Sequence, residues 1–265
     1  MKDNYRRREE RKPQPQPQEE NEGQLEGRNA LTEALRSGRT IDKVFIAAGD
    51  TDKSLQRLAA QAKEAGAVVV PVDRRKLDAM STTRSHQGVI ALAAAREYYS
   101  VDDLLREAEE RGEAPLLVIC DELSDPHNLG AILRSAECAG AHGVIIPKRR
   151  SVGLTAVVAK ASAGAVEYMK VARVTNINAV ISELKEKGVW IFGTAAEGSI
   201  PMYQADLTGP TAIVIGSEGE GMSRLVRQNC DVTVHIPMKG RITSLNASAA
   251  ASILLYEAVR QRLSK

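Results

Sequence analysis

From Gly27 onward, apolar positions recur with two different periods, and their alternation marks out the elements. "RNALTEALRSG" has helical spacing and is closed by Gly38. "KVFIAA" predicts a strand, "DKSLQRLAAQAKEAG" a helix stopped by Gly66, and "AVVVPV" a strand. "RRKLDAMS" predicts a short helix and "GVIALAAA" a further strand, completing a small α/β unit over residues 26–95. The charged, helically spaced "REYYSVDDLLREAEERGEA" places a linker over residues 96–114. A second unit, residues 115–265, opens on "PLLVICDELSD". Its further strands are "GVIIP", "VEYMKV", "VWIFGT", "TAIVIG" and "VTVHIP", with helical segments between most of them. Such runs, apolar on both faces, predict a parallel sheet flanked by helices, with ligands at the carboxyl ends of the strands.

Residues 1–24 lack this periodicity and are rich in Arg, Glu, Gln and Pro, a composition that predicts disorder. The first twelve carry six basic residues against three acidic ones. An arm for an anion such as RNA and a solvated tail both fit, and Glu19, Glu20 and Glu22 weigh towards the tail.

Composition narrows the class. Apolar content is 43% and charged content 26%, ordinary for a soluble globular protein, and no run approaches the ~20 apolar residues of a membrane span. The polar N-terminus shows no secretory h-region, and a cytoplasmic location is the expectation. Aromatics are only 3%, so Val, Ile, Leu and Ala must build the core. Cys120, Cys138 and Cys230 have no ligand-like spacing and read as small buried apolar residues in a reducing compartment. A net charge of +2 permits nucleic-acid binding without arguing for it.

Three post-strand segments carry candidate chemistry. In "DELSDPHNLGAILRSAECAGAHG", Asn128 is a candidate N-cap, and Leu129, Ile132, Leu133 and Ala136 form one stripe. At about 100° per residue Arg134 falls off that stripe, towards a cleft or solvent. Asp121, Asp125 and His127 have metal-ligand chemistry but no second cluster, so no metal site is expected. In "GSEGEGMSRLV", Gly216, Gly219 and Gly221 allow a tight turn around Glu218, which is either a site residue or a carboxylate favoured at a helix start. It is neither a Walker loop nor the dinucleotide fingerprint. In "MKGRITSLNASAAAS", Ser244 is the expected N-cap, putting Leu245 and Asn246 in the first helical turn. Ordinary Ala-rich packing explains the small residues but not Asn246, a poor helix former.

Taken in order, "DPHNLGAILRSAECAGAHGVIIPKR", "IVIGSEGEGMSRLVRQNCDVTVHIPM" and "SLNASAAASILLYEA" resemble the three signature motifs of the SpoU (TrmH) branch of the SPOUT RNA methyltransferases. The upstream unit looks like their L30e-like RNA-binding domain, and the layout is similar to that of the RlmB-type 23S rRNA guanosine 2′-O-methyltransferases. The resemblance implies a parallel α/β sheet with a C-terminal trefoil knot, S-adenosylmethionine as methyl donor, a ribose 2′-hydroxyl of RNA as acceptor, and a homodimer. It implies Arg134, Asn128, Glu218, Asn246 and Ser244 as catalytic-site residues, and Thr194, Gly216, Ile236, Met238 and Leu245 against the cofactor. Relatives often have Val where this chain has Ala247 and Ala249, a difference of packing detail.

The family role given to the arginine is to assist deprotonation. A guanidinium with pKa above ~12 has no free lone pair, so gripping the ribose-phosphate and stabilising a developing alkoxide suits it better. Asn128, Glu218 and Asn246 are expected to orient it, the ribose and the cofactor-side backbone. "PKRRSVG" (Lys148, Arg149, Arg150) offers phosphate contacts or is a solvated loop. Single-stranded or bulged RNA suits a deep pocket. A tRNA substrate and a non-catalytic RNA-binding role are the alternatives, and "ILLYEAVRQRL" is the expected dimer surface.

Overall fold

The structure is a computed structural model that describes residues 23–195 and 199–264, so the reading of residues 1–24 as a tail falls, but for its last two residues, outside it. The first unit runs β1 (Gln24–Glu26), α1 (Arg28–Arg36), β2 (Ile41–Ala47), α2 (Lys53–Glu64), β3 (Val68–Val72), α3 (Arg74–Met80) and β4 (Val89–Ala93). Its strands form a sheet in the order β1-β4-β2-β3, with β2 and β3 parallel and β4 antiparallel to both its neighbours. Asp52 and Asp73 start α2 and α3 by accepting from the N–H groups of Ser54 and Arg75.

The next helix, α4 (Val101–Arg111), opens on a capping box between Ser100 and Asp103. Then come β5 (Leu116–Cys120), α5 (Pro126–Cys138), β6 (Gly143–Pro147), α6 (Ala156–Ala161), β7 (Val171–Val174) and α7 (Ile177–Glu186). The chain ends with β8 (Trp190–Thr194), β9 (Ile200–Pro201), β10 (Thr211–Ile215), α8 (Arg224–Asn229), β11 (Val232–His235) and α9 (Ala247–Leu263). These strands build a seven-stranded sheet in the order β7-β6-β5-β10-β8-β11-β9, parallel at every recorded pairing. The expected parallel α/β architecture is thus present. Because β10 enters between β5 and β8, the segments that follow β5, β8, β10 and β11 leave the sheet side by side.

The core explains why the central strands lack polar alternation. Leu116, Val118 and Cys120 of β5 pack on one face with α5 and α9, while Leu117 and Ile119 pack on the other with α4 and α7. Residues of the first unit, including Leu25, Leu31 and Leu55, belong to the same buried cluster as α5 and α9.

Four local expectations change. The charged segment 96–114, expected as a linker, packs into the core of the second unit. Tyr99 bridges to Ala172, and Val101, Leu104 and Ala108 are buried. "VEYMKV" is not one strand: Ala165–Glu167 forms a 3-10 turn after Gly164, and the strand begins at Val171. Asn128 is not the cap of α5. Pro126 fits the first helical position, so Asp125 before it caps, accepting from His127 N–H at 2.9 Å. Cys138 is exposed at the end of α5 rather than buried.

Candidate active site

Three loops meet beyond the carboxyl ends of β5, β10 and β11. In the first, Asn128 lies on the third residue of α5 and is almost fully buried. In the second, Ser217 and Gly221 exchange backbone hydrogen bonds at 3.0 and 2.9 Å, closing a turn that carries Glu218 at its exposed tip. Glycine is required here. A Cβ on Gly216 would fall 2.2 Å from Gly221 C and Met222 N, and Gly219 and Gly221 have φ of 88° and 71°. The turn is anchored from below, where the buried Asp121 carboxylate accepts from Ser223 N–H at 2.7 Å.

In the third loop the expected cap moves by two residues. Ser244 is exposed and outside the helix, and α9 begins at Ala247 with Asn246 as its N-cap. Asn246 Oδ1 accepts from Ser248 N–H at 3.0 Å and Ala249 N–H at 3.3 Å. An amide is a poor residue inside a helix and among the best just before one, so the Asn246 anomaly disappears. Its Nδ2 donates to Asn128 Oδ1 and to Glu218 Oε1, both at 2.9 Å. Asn128 Nδ2 also donates to Glu218 Oε1, closing a three-membered ring of hydrogen bonds.

The ring does not include Arg134. That side chain is exposed six residues along α5 from Asn128, with no hydrogen bond or ion pair among the described residues. The three polar residues therefore hold one another and fix the loops, and the expected orienting bonds to the guanidinium are not made among the described residues.

Thr194 closes β8, and its hydroxyl donates to Val214 O at 3.0 Å. Ile236 follows β11 half-buried, and Met238, Ile242 and Leu245 are exposed along the segment leading into α9. Uncovered apolar side chains beside main-chain groups suit the flat, apolar faces of a nucleoside, so these residues fit S-adenosylmethionine. Lys148, Arg149 and Arg150 are exposed just past β6, on the same rim, with Arg150 donating to Glu122 at 2.9 Å.

Gly130 was missed as a site-building residue. A Cβ there would lie 2.5 Å from Ala161 Cβ and 2.9 Å from Val158 O, so α5 and α6 meet almost backbone to backbone. A glycine inside a helical pattern was the available signal. Asp121, weighed as a metal ligand, instead ties β5 to the start of α8. Burial pushes the Cys120 thiol up to about 12 and the Cys230 thiol up to about 11, so neither is a thiolate at neutral pH.

Among the described residues no helix is long and apolar enough to cross a membrane. Residues 115–256 match the SpoU rRNA methylase family, and residues 24–99 match the RNA 2′-O ribose methyltransferase substrate-binding family. The chain is 50% identical over 236 residues to a putative TrmH family tRNA/rRNA methyltransferase, YacO, of Bacillus subtilis, covering 89% of this chain and 94% of that one. The SpoU methyltransferase AviRb from Streptomyces viridochromogenes, solved with its cofactor AdoMet, superposes with a TM-score of 0.79 at 27% identity, over 91% of this chain and 90% of that one. An AdoMet-bound rRNA methyltransferase from Sinorhizobium meliloti gives 0.73 at 26% identity, over 89% and 86%. The chain belongs to the SpoU (TrmH) family of RNA 2′-O-ribose methyltransferases, enzymes that take their methyl group from S-adenosylmethionine.

Proposed function

We propose that this chain methylates a ribose 2′-hydroxyl of 23S rRNA, at a guanosine, and works in the cytoplasm as a homodimer. The observation that carries the catalytic reading is the division of labour around α5: Asn128, Glu218 and Asn246 satisfy one another, while Arg134 on the same helix is unpaired among the described residues. S-adenosylmethionine supplies a methyl group activated on a sulfonium, held by Thr194, Gly216, Ile236, Met238 and Leu245. Arg134 grips the ribose-phosphate and stabilises the negative charge that develops on the 2′-oxygen. Asn128, Glu218 and Asn246 keep the loops in place so that acceptor and donor meet in line. Ser244, exposed two residues before Asn246, is assigned to contact the incoming ribose.

Support for rRNA comes from the similarity, over 89% of this chain, to a structure described as an rRNA methyltransferase and from the substrate-binding unit ahead of the catalytic one. Support for the dimer comes from α9, where Ile253, Tyr256 and Leu263 are exposed at helical spacing. Mapping 2′-O-methyl sites in a deletion strain tests the reading. Loss of one 23S guanosine methylation is expected, and an unchanged large-subunit pattern with a lost tRNA site moves the assignment to tRNA. Purified protein that transfers no labelled methyl group to either RNA leaves only the non-catalytic RNA-binding role.

A further inference from the structure

Between α3 and β4 the chain passes through Ser81–Gly88, where two residues with side chains, Arg84 and Gln87, both have a φ of 53°. Left-handed backbone at non-glycine residues costs energy and persists only where the surroundings impose it. Here they impose it from several sides. Glu26, almost fully buried, accepts from Ser81 Oγ and Thr82 N–H at 2.6 Å, from Thr83 N–H at 3.0 Å, and from Thr83 Oγ1. The buried His86 ring accepts from Gly88 N–H at 3.0 Å and pairs with Asp78. Arg28 donates through its main chain to Gln87 Oε1 at 3.0 Å and through Nε to Gln87 O at 3.2 Å.

The remaining support comes from the catalytic unit. Lys160 of α6 donates through Nζ to Ser85 O at 2.5 Å and to Thr83 Oγ1 at 3.1 Å. α6 is the helix pressed against Gly130 of α5, the helix of Asn128 and Arg134. Nearby, the buried Glu167 carboxylate accepts from both Arg39 and Arg96, closing the seam between the two units. Arg84 stands on this loop exposed, with no hydrogen bond or ion pair among the described residues. No hydrogen bond or ion pair among the described residues uses the guanidinium, and glycine would adopt the same backbone without strain.

We infer that Ser81–Gly88 is an RNA-phosphate clamp, in which Arg84 takes a backbone phosphate of the substrate RNA and Lys160 is the positioning residue that holds the clamp in register with Arg134. A guanidinium presents a bidentate fork to a phosphate, and a pre-ordered loop spends little entropy on binding. The inference rests on the RNA methyltransferase reading above.

The test uses the full chain with two probes, unmodified transcripts of 23S rRNA and of tRNA. Arg84→Gly separates fold from function because the two effects have opposite signs. Its melting temperature is expected to hold or rise, while the Kd for the bound transcript rises roughly tenfold and the slope of log K against log salt becomes shallower by about one. Arg84→Gln, which keeps the strain and removes the charge, is expected to weaken binding equally. Lys160→Met is expected to lower kcat with the salt slope and S-adenosylmethionine affinity unchanged, and Lys160→Arg to recover part of the loss. Wild-type affinity and slope in both Arg84 variants overturn the clamp, and a wild-type kcat in Lys160→Met overturns the positioning role. A wild-type protein that binds neither transcript overturns the RNA reading itself.

Discussion

Asn246 Nδ2 and Asn128 Oδ1 lie 2.9 Å apart, joining residues 118 positions distant in the chain, and the same Asn246 side chain starts the helix behind it. One amide thus serves as a helix cap through its oxygen and as a loop tie through its nitrogen. The two jobs separate by substitution. Asn246→Ser keeps a capping oxygen but loses both donated bonds, so urea unfolding is expected to show a loss of about 1 kcal/mol, with methyl transfer strongly reduced. Asn246→Ala loses the cap as well, for about 1 kcal/mol more. Equal stability of the two variants would remove the capping role.

Arg134 makes the opposite prediction. It is exposed and unpaired among the described residues, so Arg134→Ala is expected to change stability by less than ~0.5 kcal/mol. If it stabilises charge on the 2′-oxygen, turnover falls on the order of 100-fold or more, with S-adenosylmethionine affinity unchanged by calorimetry. Near wild-type turnover with normal cofactor binding would sink the assignment. Arg134→Lys keeps the charge but not the fork, and is expected to recover only a fraction of the rate.

The sheet was legible because its strands are buried on both faces and read as unbroken apolar runs, as in "PLLVIC" and "TAIVIG". Helix starts were less legible. Aspartate, asparagine and serine are all good caps, and composition cannot say which of Ser244 and Asn246, or Asp125 and Asn128, stands at the boundary. The site was legible only in part. Asn128, Glu218 and Asn246 stood out as polar residues after strands, but their mutual bonding depends on β10 entering between β5 and β8. That order is a long-range choice no local period records. The bracing of Arg84 was invisible for the same reason, since Glu26, Arg28 and Lys160 come from distant parts of the chain.

Glu26 gives a prediction about pH. Burial alone would raise its pKa, but hydrogen bonds from the Ser81 and Thr83 hydroxyls and the Thr82 and Thr83 N–H groups together outweigh it and hold the carboxyl below its ordinary 4.5. A carboxyl whose pKa is depressed on folding stabilises the fold above the ordinary value, and that contribution is lost as pH falls through the folded value. Glu26→Gln is therefore expected to be destabilising at pH 7, with the gap to wild type narrowing below pH 4.5. Denaturant midpoints of both proteins across this range check the sign. A gap that widened on acidification would mean that Glu26 is not held as the anion.

Gly130 sets two known effects against each other. On helix propensity alone, Gly130→Ala should stabilise α5 by about 1 kcal/mol. Packing says the reverse, because the new methyl would lie 2.5 Å from Ala161 Cβ and 2.9 Å from Ser162 N and Val158 O, where backbone rather than a flexible side-chain end must yield. Overpacking of this kind costs about 1–3 kcal/mol, enough to cancel or exceed the propensity gain. The expected net result is a lower melting temperature, with turnover falling further because α6 is pushed away from the helix that bears Asn128 and Arg134. Ala161→Gly in the same chain removes one of the clashing atoms and should restore part of both losses. A Gly130→Ala protein more stable than wild type would show that α5 and α6 stand farther apart than the 2.5 Å approach implies.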